Sequence, residues 1–407
     1  MVTKTLRLIS RVILRLITFV VVVMVLVALV IQFYVFPNID HYKNDIARFA
    51  SKAAQQKIEI GHIKASWEKL NPRLDFANID IYDAQNRPAL QLKKTNVTFS
   101  WLTIPLLEPH LANLVIREPE LTIRRNREGE IFIAGISMDG QSKPDLPNWL
   151  LRQSQFQIKN AKVIWQDEMR NAPPLSLNDL NLQVNSPPWA SLLKNHRIRL
   201  TATPSIGTSN AINIDANVYG NDVSQLKEWR GTLEANLKDA DMAAFKPWVN
   251  YAAFTHPIEL QTGKGSAEIS LQFDDAQVQA LSGKLALDGV KIQLRTHAEA
   301  VQLNQLAGKF NWINTINSQK LNVENITLTA SNGLKIDNLS GSFTDTVAGN
   351  RSLNFKLPEV DLALIQPYLL QLPIPAQPLQ KLTQLAPKGK LERLVFSWSG
   401  NKTQTNT

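Results

Sequence analysis

From Ile58 onward, apolar side chains return at every second position, and this period constrains the fold of the chain more than any other feature. A β-strand sends successive side chains to opposite faces, so a period of two gives each strand one apolar face and one wet face. Leu90 and Leu92 open a series that continues through Val97, Phe99 and Trp101, then Leu121 and Ile123, then Phe156 and Ile158. Ile198, Leu200 and Ala202 precede Ile212, Ile214, Ala216 and Val218. Ala267, Ile269, Leu271 and Phe273 precede Val290, Ile292 and Leu294. Leu321, Val323, Ile326 and Leu328 lead to Leu353, Phe355 and Leu357, and then to Leu394, Phe396 and Trp398. About twenty such runs, spaced as in an all-β architecture, predict a mainly β chain. Asn/Asp turns at Ala77-Asn78, Asn160-Ala161, Asn178-Asp179 and Asp288-Gly289 are expected to separate the strands. With only 17 glycines, a glycine-rich stacked β-helix is disfavoured. Pro144–Pro147, Pro173-Pro174, Pro187-Pro188 and the irregular passage Leu369–Pro378 mark loops or subdomain edges.

One pattern occurs twice. DMAAFKPWV at 241–249 and DLALIQPYL at 361–369 share the form D-[ML]-A-x-[FI]-x-P-[WY]-[VL]. Asp241 and Asp361 are expected to cap one-turn helices that end at Pro247 and Pro367, each after a strand. The two copies suggest a duplicated strand-plus-helix unit.

The N-terminus breaks the period. Leu16–Phe36 holds 21 residues without a charge, and at 1.5 Å per helical residue this spans a bilayer core of about 30 Å. Lys4, Arg7, Arg11 and Arg15 precede it, and no acid occurs before Asp40. The positive-inside rule then puts the N-terminus in the cytoplasm and the bulk of the chain on the other side of the membrane. Phe33, Tyr34 and Phe36 stand where an interfacial aromatic belt would, and Pro37 is expected to stop the helix. A cleaved signal peptide fits less well, because the run is longer than an h-region and lacks an A-x-A site. Asp40 to Lys57 reads as a short amphipathic helix capped by Asp40, with Ile46, Phe49, Ala50 and Ala53 on one face. It is expected to plug the first strands; a helix lying on the membrane surface is the alternative.

Chemistry is sparse. The chain has no cysteine, which excludes disulfides, thiol nucleophiles, Cys zinc sites and a lipid-modified Cys. The formal charge is +9 from 44 Lys+Arg and 35 Asp+Glu. Four of the basic residues lie before the apolar run, and the rest of the surplus is dispersed, so no nucleic-acid track is indicated. His41, His62, His110, His196, His256 and His297 have no metal-ligand spacing and read as surface or strand-edge residues. Gly263-Lys264-Gly265-Ser266 lacks the phosphate-loop frame and reads as a turn. Gly135–Asp139 misses the nucleophile-elbow pattern at its last position. Asp167-Glu168 and Asp274-Asp275 read as solvated acidic turns. Arg124, Arg125 and Arg127 fall in an expected turn, either as a soluble hairpin tip or as a contact for anionic headgroups. No enzyme, metal or cofactor is indicated.

Several local blocks carry a family resemblance. They are the basic-flanked anchor, Trp67–Leu74 leading into Ala77–Ile81, Ser100–Leu102, Leu111–Ile116, Glu118–Arg125 and Glu128–Ile131. On these residues the chain resembles the YhdP branch of the AsmA-like proteins of Gram-negative envelopes. The likeness covers the anchor and roughly the first 140 residues; beyond them it is one of pattern. It implies an inner-membrane-anchored periplasmic β-groove related to chorein-type bridge-like lipid-transfer proteins. Membrane phospholipids, the inner membrane and other envelope proteins are the implied partners. The implied role is phospholipid transport toward the outer membrane and maintenance of its permeability barrier. No catalytic residue is carried over.

The expected organisation is a cytoplasmic tip and transmembrane helix at 1–37, a juxtamembrane helix at 38–57, and an elongated, antiparallel-rich β-groove with a few short helices at 58–407. Full-length members of that family are longer, so the groove is expected to be incomplete at the polar tail Lys402–Thr407. Phe99, Ile214 and Ile269 are candidate lipid-facing residues. From the residues alone, the alternation fits a closed β-sandwich as well as a groove. The rival function is an anchored periplasmic scaffold for outer-membrane protein assembly that conducts no lipid.

Overall fold

A computed structural model describes residues 2–54, 56–82, 86, 88–106, 108–137, 146–187, 194–249, 259–275, 277–294, 299–371 and 383–401. His256, His297, the tail 402–407, most of Leu369–Pro378, and parts of Pro144–Pro147, Pro187-Pro188 and Gly135–Asp139 lie outside them. The chain is mainly β and forms two compact units, Met1–Glu118 and Pro119–Thr407.

The first unit begins with helix α1 (Val2–Val30). Its side chains from Arg11 to Val30 are largely exposed, which suits a helix whose surroundings are lipid. Pro37 does not stop the winding. The helix widens into a π turn at Ile31–Val35, tightens into a 3₁₀ helix at Phe36–Tyr42, and runs on into α2 (Lys43–Ala54). Proline is tolerated there because the first turn of a helix needs no N–H from it. Asp40 does not cap α2, which starts three residues later; its Oδ1 accepts the Ile63 N–H at 3.2 Å. Strands β1 (Ile58–Glu68), β2 (Asn71–Tyr82), β3 (Pro88–Phe99) and β4 (Leu111–Arg117) form an antiparallel meander. Ile39 is buried with Ile63 and Phe76, and Val35 and Ile46 pack on them, as a plug on the first strands requires. A one-turn helix, α3 (Thr103–Leu106), follows β3.

The second unit opens with β5 (Glu120–Arg125), β6 (Ile131–Ile133), β7 (Ile136–Ser137) and α4 (Leu146–Leu151). There follow β8 (Gln155–Asp167), β9 (Leu175–Asn185), β10 (Asn195–Pro204), β11 (Ile212–Tyr219), β12 (Arg230–Asp241) and β13 (Glu259–Asp274). Strands β14 (Gln277–Gln293), β15 (Val301–Asn314), β16 (Ser318–Ala330), β17 (Lys335–Thr346), β18 (Asn350–Asp361) and β19 (Lys390–Asn401) complete it. From β8 to β19 every strand pairs antiparallel with the next. The exception is β5, which pairs in parallel with β8. Among the described residues no pairing joins β19 back to β5, so this sheet is open.

Several expected turns lie inside strands. Asn78 sits in β2, Asn160 in β8, Asp179 in β9 and Asp288-Gly289 in β14. Asn78, Asn160, Asp179 and Gly289 take φ of 56°, 54°, 49° and 60°. Asn, Asp and Gly tolerate this left-handed conformation, which makes a bulge as readily as a turn. The register of β8 on β9 accordingly shifts around Ala161. Gly263–Ser266 is also continuous strand; a Cβ on Gly265 would meet the Ala286 carbonyl oxygen at 2.0 Å, so only glycine fits between β13 and β14.

The repeated pattern adopts the same structure twice. Asp241 Oδ1 accepts the N–H groups of Ala243 and Ala244 at 3.0 and 3.3 Å. Asp361 Oδ1 accepts those of Ala363 and Leu364 at 2.9 and 3.2 Å. The helical turns Met242–Phe245 and Leu362–Ile365 each follow the end of a strand. Asp241 pairs in register with Lys264, and Asp361 with Lys390.

Candidate functional site

The paired strands of the second unit turn the period of two into continuous rows. One row runs Phe156, Val184, Ile198, Ala216, Leu233, Leu271, Leu281, Trp312, Leu321, Phe343, Leu353 and Trp398, each opposite the next. A second, two residues along each strand, runs Ile158, Leu182, Leu200, Ile214, Ala235, Ile269, Gly283, Phe310, Val323, Gly341, Phe355 and Phe396. Every member is apolar or glycine. Between them, on the other face, stand Gln157, Gln183, Arg199, Asp215, Glu234, Ser270, Ser282, Asn311, Asn322, Ser342, Asn354 and Ser397. At a strand spacing of about 4.8 Å, twelve strands carry the apolar rows over about 50 Å.

Burial differs along these strands. Where the capped helical turns sit, Ala240, Leu287, Val290, Ile336 and Val360 are buried, together with Met242 and Phe245 of the first turn. In the two rows above, most residues are only half-buried, and Phe343 is 37% exposed. A hollow of about 650 Å³ is bounded by Glu268, Lys284, Lys309 and Glu324 among others. A twisted sheet is saddle-shaped and so is hollow along one diagonal of each face. Most residues around the hollow belong to the polar face, and Ile269, Gly283 and Phe310 come from the second apolar row.

The candidate lipid-facing residues divide between the units. Ile214 and Ile269 share one apolar row, two strands apart. Phe99 closes β3 in the first unit and is half-buried on the face shared with Val97. Of the residues expected to form an aromatic belt, Phe33 and Tyr34 are 74% and 64% exposed. Phe36 instead lays its ring 5.3 Å from that of Trp67. Arg11 and Arg15 lie on α1 and are exposed; Lys4 and Arg7 lie on its first turns.

Two polar groups depart from their expected surface roles. His196 is 2% exposed. Its Nδ1 lies 2.7 Å from Ser186 Oγ and its Nε2 lies 2.8 Å from the Gly220 carbonyl oxygen. Burial lowers its pKa, and the Gly220 carbonyl opposes the shift in part. Both ring nitrogens are engaged, and the buried Ser–His pair ties strand ends together. Asp167 is also buried and is gripped by Arg125 through two hydrogen bonds, one of them 2.9 Å. Burial pushes its pKa up, but the Arg125 bond and charge, with the Arg170 N–H, hold it below the usual value. Arg124 pairs with Glu168 at 3.2 Å and lies over Phe132. These arginines are therefore structural, and only Asn126–Gly129 forms the turn. Among the described residues no three His, Asp or Glu side chains gather as metal ligands.

An open, antiparallel-rich sheet with one continuous apolar face, preceded by a helix long and apolar enough to cross a membrane, defines a β-groove architecture with a candidate membrane anchor. The family model described as YhdP protein matches residues 1–407, and the chain belongs to the YhdP family. Comparisons with curated proteins and with solved structures found no match.

Proposed function

We propose that this protein moves phospholipid between the inner and outer membranes along the apolar rows of its sheet, and so maintains the outer-membrane permeability barrier. The observation that carries this reading is the unbroken pair of rows across twelve strands, apolar yet only half-buried. An acyl chain in water costs about 0.8 kcal/mol per CH₂, or about 10 kcal/mol for sixteen carbons. A continuous apolar surface removes most of that cost and needs no specific contact to let the chain slide. The polar headgroup stays wet. In this reading residues 1–37 are a cytoplasmic tip and single inner-membrane span, 38–57 a juxtamembrane plug, and 58–407 the periplasmic groove.

The test is to purify the protein without detergent extraction of its periplasmic region and to analyse bound lipid by native mass spectrometry. Photo-reactive residues at Phe99, Ile214 and Ile269 supply crosslinks. Phospholipid adducts at Ile214 and Ile269 are expected. Absence of both bound phospholipid and crosslinks would sink the conduit reading. Stable recovery of an outer-membrane protein in their place would favour the scaffold.

A further inference from the structure

We propose that the β1–β2 hairpin tip, with the segment leading into α3 beside it, is a second membrane contact: it enters the headgroup layer of the leaflet from which the anchor helix emerges. This rests on reading α1 as a membrane anchor, and adds a separate surface to it.

Four contacts fix the direction of β1. The Ile58 N–H donates to Ser51 Oγ at 2.9 Å, and Lys43 Nζ donates to the Gly61 carbonyl at 3.2 Å. The Ile63 N–H donates to Asp40 Oδ1 at 3.2 Å, and Trp67 Nε1–H donates to Gln32 Oε1 at 2.6 Å. As the strand number rises from 58 to 67, the helical partner falls from 51 to 32. β1 therefore runs back along the helical segment toward the anchor. The lengths agree, since Gln32 to Ser51 along the helices and Ile58 to Trp67 along the strand each cover about 30 Å. Gln32 lies inside the charge-free run Leu16–Phe36. Trp67 thus stands level with the end of the span, and the strand continues past it toward the bilayer.

The tip has the chemistry of that location. Leu70 is 82% exposed, and Lys69 beside it is exposed in a left-handed turn. Trp101 Nε1–H donates to the Leu70 carbonyl at 2.9 Å, tying the tip to the segment after β3. There Leu102 and Ile104 are 38% and 48% exposed. Single exposed leucines are ordinary on soluble surfaces. Three large aliphatic side chains brought together by a tryptophan, beside a lysine and at the anchor end of the sheet, match an interfacial membrane contact. The aliphatics enter the acyl boundary, the indole sits at headgroup level, and the ammonium meets phosphate.

The absence of native cysteine makes the test direct, because a single introduced Cys reports alone. The full chain carrying Leu70→Cys, Leu102→Cys, Val20→Cys or Ile316→Cys is spin-labelled in nanodiscs of phosphatidylethanolamine and phosphatidylglycerol. Collision with oxygen and with a nickel chelate is then compared. Ile316 is 95% exposed and serves as the aqueous reference. The expected result is an oxygen-to-nickel ratio at positions 70 and 102 several-fold above that at 316 and below that at 20. Labels at 70 and 102 matching 316, while 20 reads as bilayer, overturn the proposal and leave the anchor standing. An aqueous label at 20 overturns the anchor reading and this proposal with it.

Discussion

Strand β14 passes through two environments. Near its C-terminal end Val290 is 1% exposed, in the buried cluster that includes Met242 and Phe245 of the first capped turn. Nine residues earlier Leu281 is half-buried in an apolar row between Leu271 and Trp312. Both side chains are aliphatic and lie on the same strand, yet their burial differs. A buried core and an open apolar surface can therefore arise from one alternating pattern.

Four experiments can break or sharpen that contrast. Val290→Asp places an unpaired carboxylate in the covered region, and we expect a loss of about 4 kcal/mol or more, with no cooperative thermal transition. Leu281→Asp should fold, with a smaller drop in Tm but clearly less co-purified lipid. Equal destabilisation by both would erase the distinction. Truncation gives a milder version. Leu287→Ala, in the covered cluster, should cost about 2–5 kcal/mol in urea unfolding, and Leu281→Ala should cost less because water already reaches its site.

The covers themselves can be loosened. Asp241→Ala and Asp361→Ala should each cost about 1 kcal/mol by removing the cap of one turn. The double variant should be additive if the turns act separately, and a cost well above the sum would make them one cooperative lid. The smallest effect concerns a closed region held by polar bonds. The ordinary His196 pKa of 6.5 is lowered by burial. As pH falls below 6.5, the unfolded chain takes up a proton that the folded chain refuses, so stability declines; above that value it does not. His196→Gln should flatten this slope in denaturation curves between pH 7 and the acid limit.

Much of the apolar face was legible because strand alternation is a local signal. Ile214 and Ile269 belong to separate runs of the sequence and fall in one row, since antiparallel pairing keeps the two faces in step from strand to strand. The bulges were legible only as left-handed residues; whether Asn160 turns the chain or kinks a strand depends on the partner strand. His196 and Asp167 were hidden because their partners, Ser186 and Arg125, lie 10 and 42 residues away. Pro37 misled for a related reason. A proline breaks an α-helix in isolation, but here Ile39 and Ile46 gain a sheet to lie on, which keeps the winding going. The choice between groove and sandwich rested on cover, which no single strand encodes.

Gly283 stands in the second apolar row between Ile269 and Phe310, and a Cβ there would lie 2.7 Å from the Phe310 ring. The ring therefore lies across the glycine backbone. A large residue beside a vacancy would make a step; a ring folded over the vacancy makes a level surface. On the conduit reading this concerns friction. Translation along a track is limited by the ruggedness of its energy profile, so filling a dip with a neighbouring ring would lower the hopping barrier without tightening the hold on any one position.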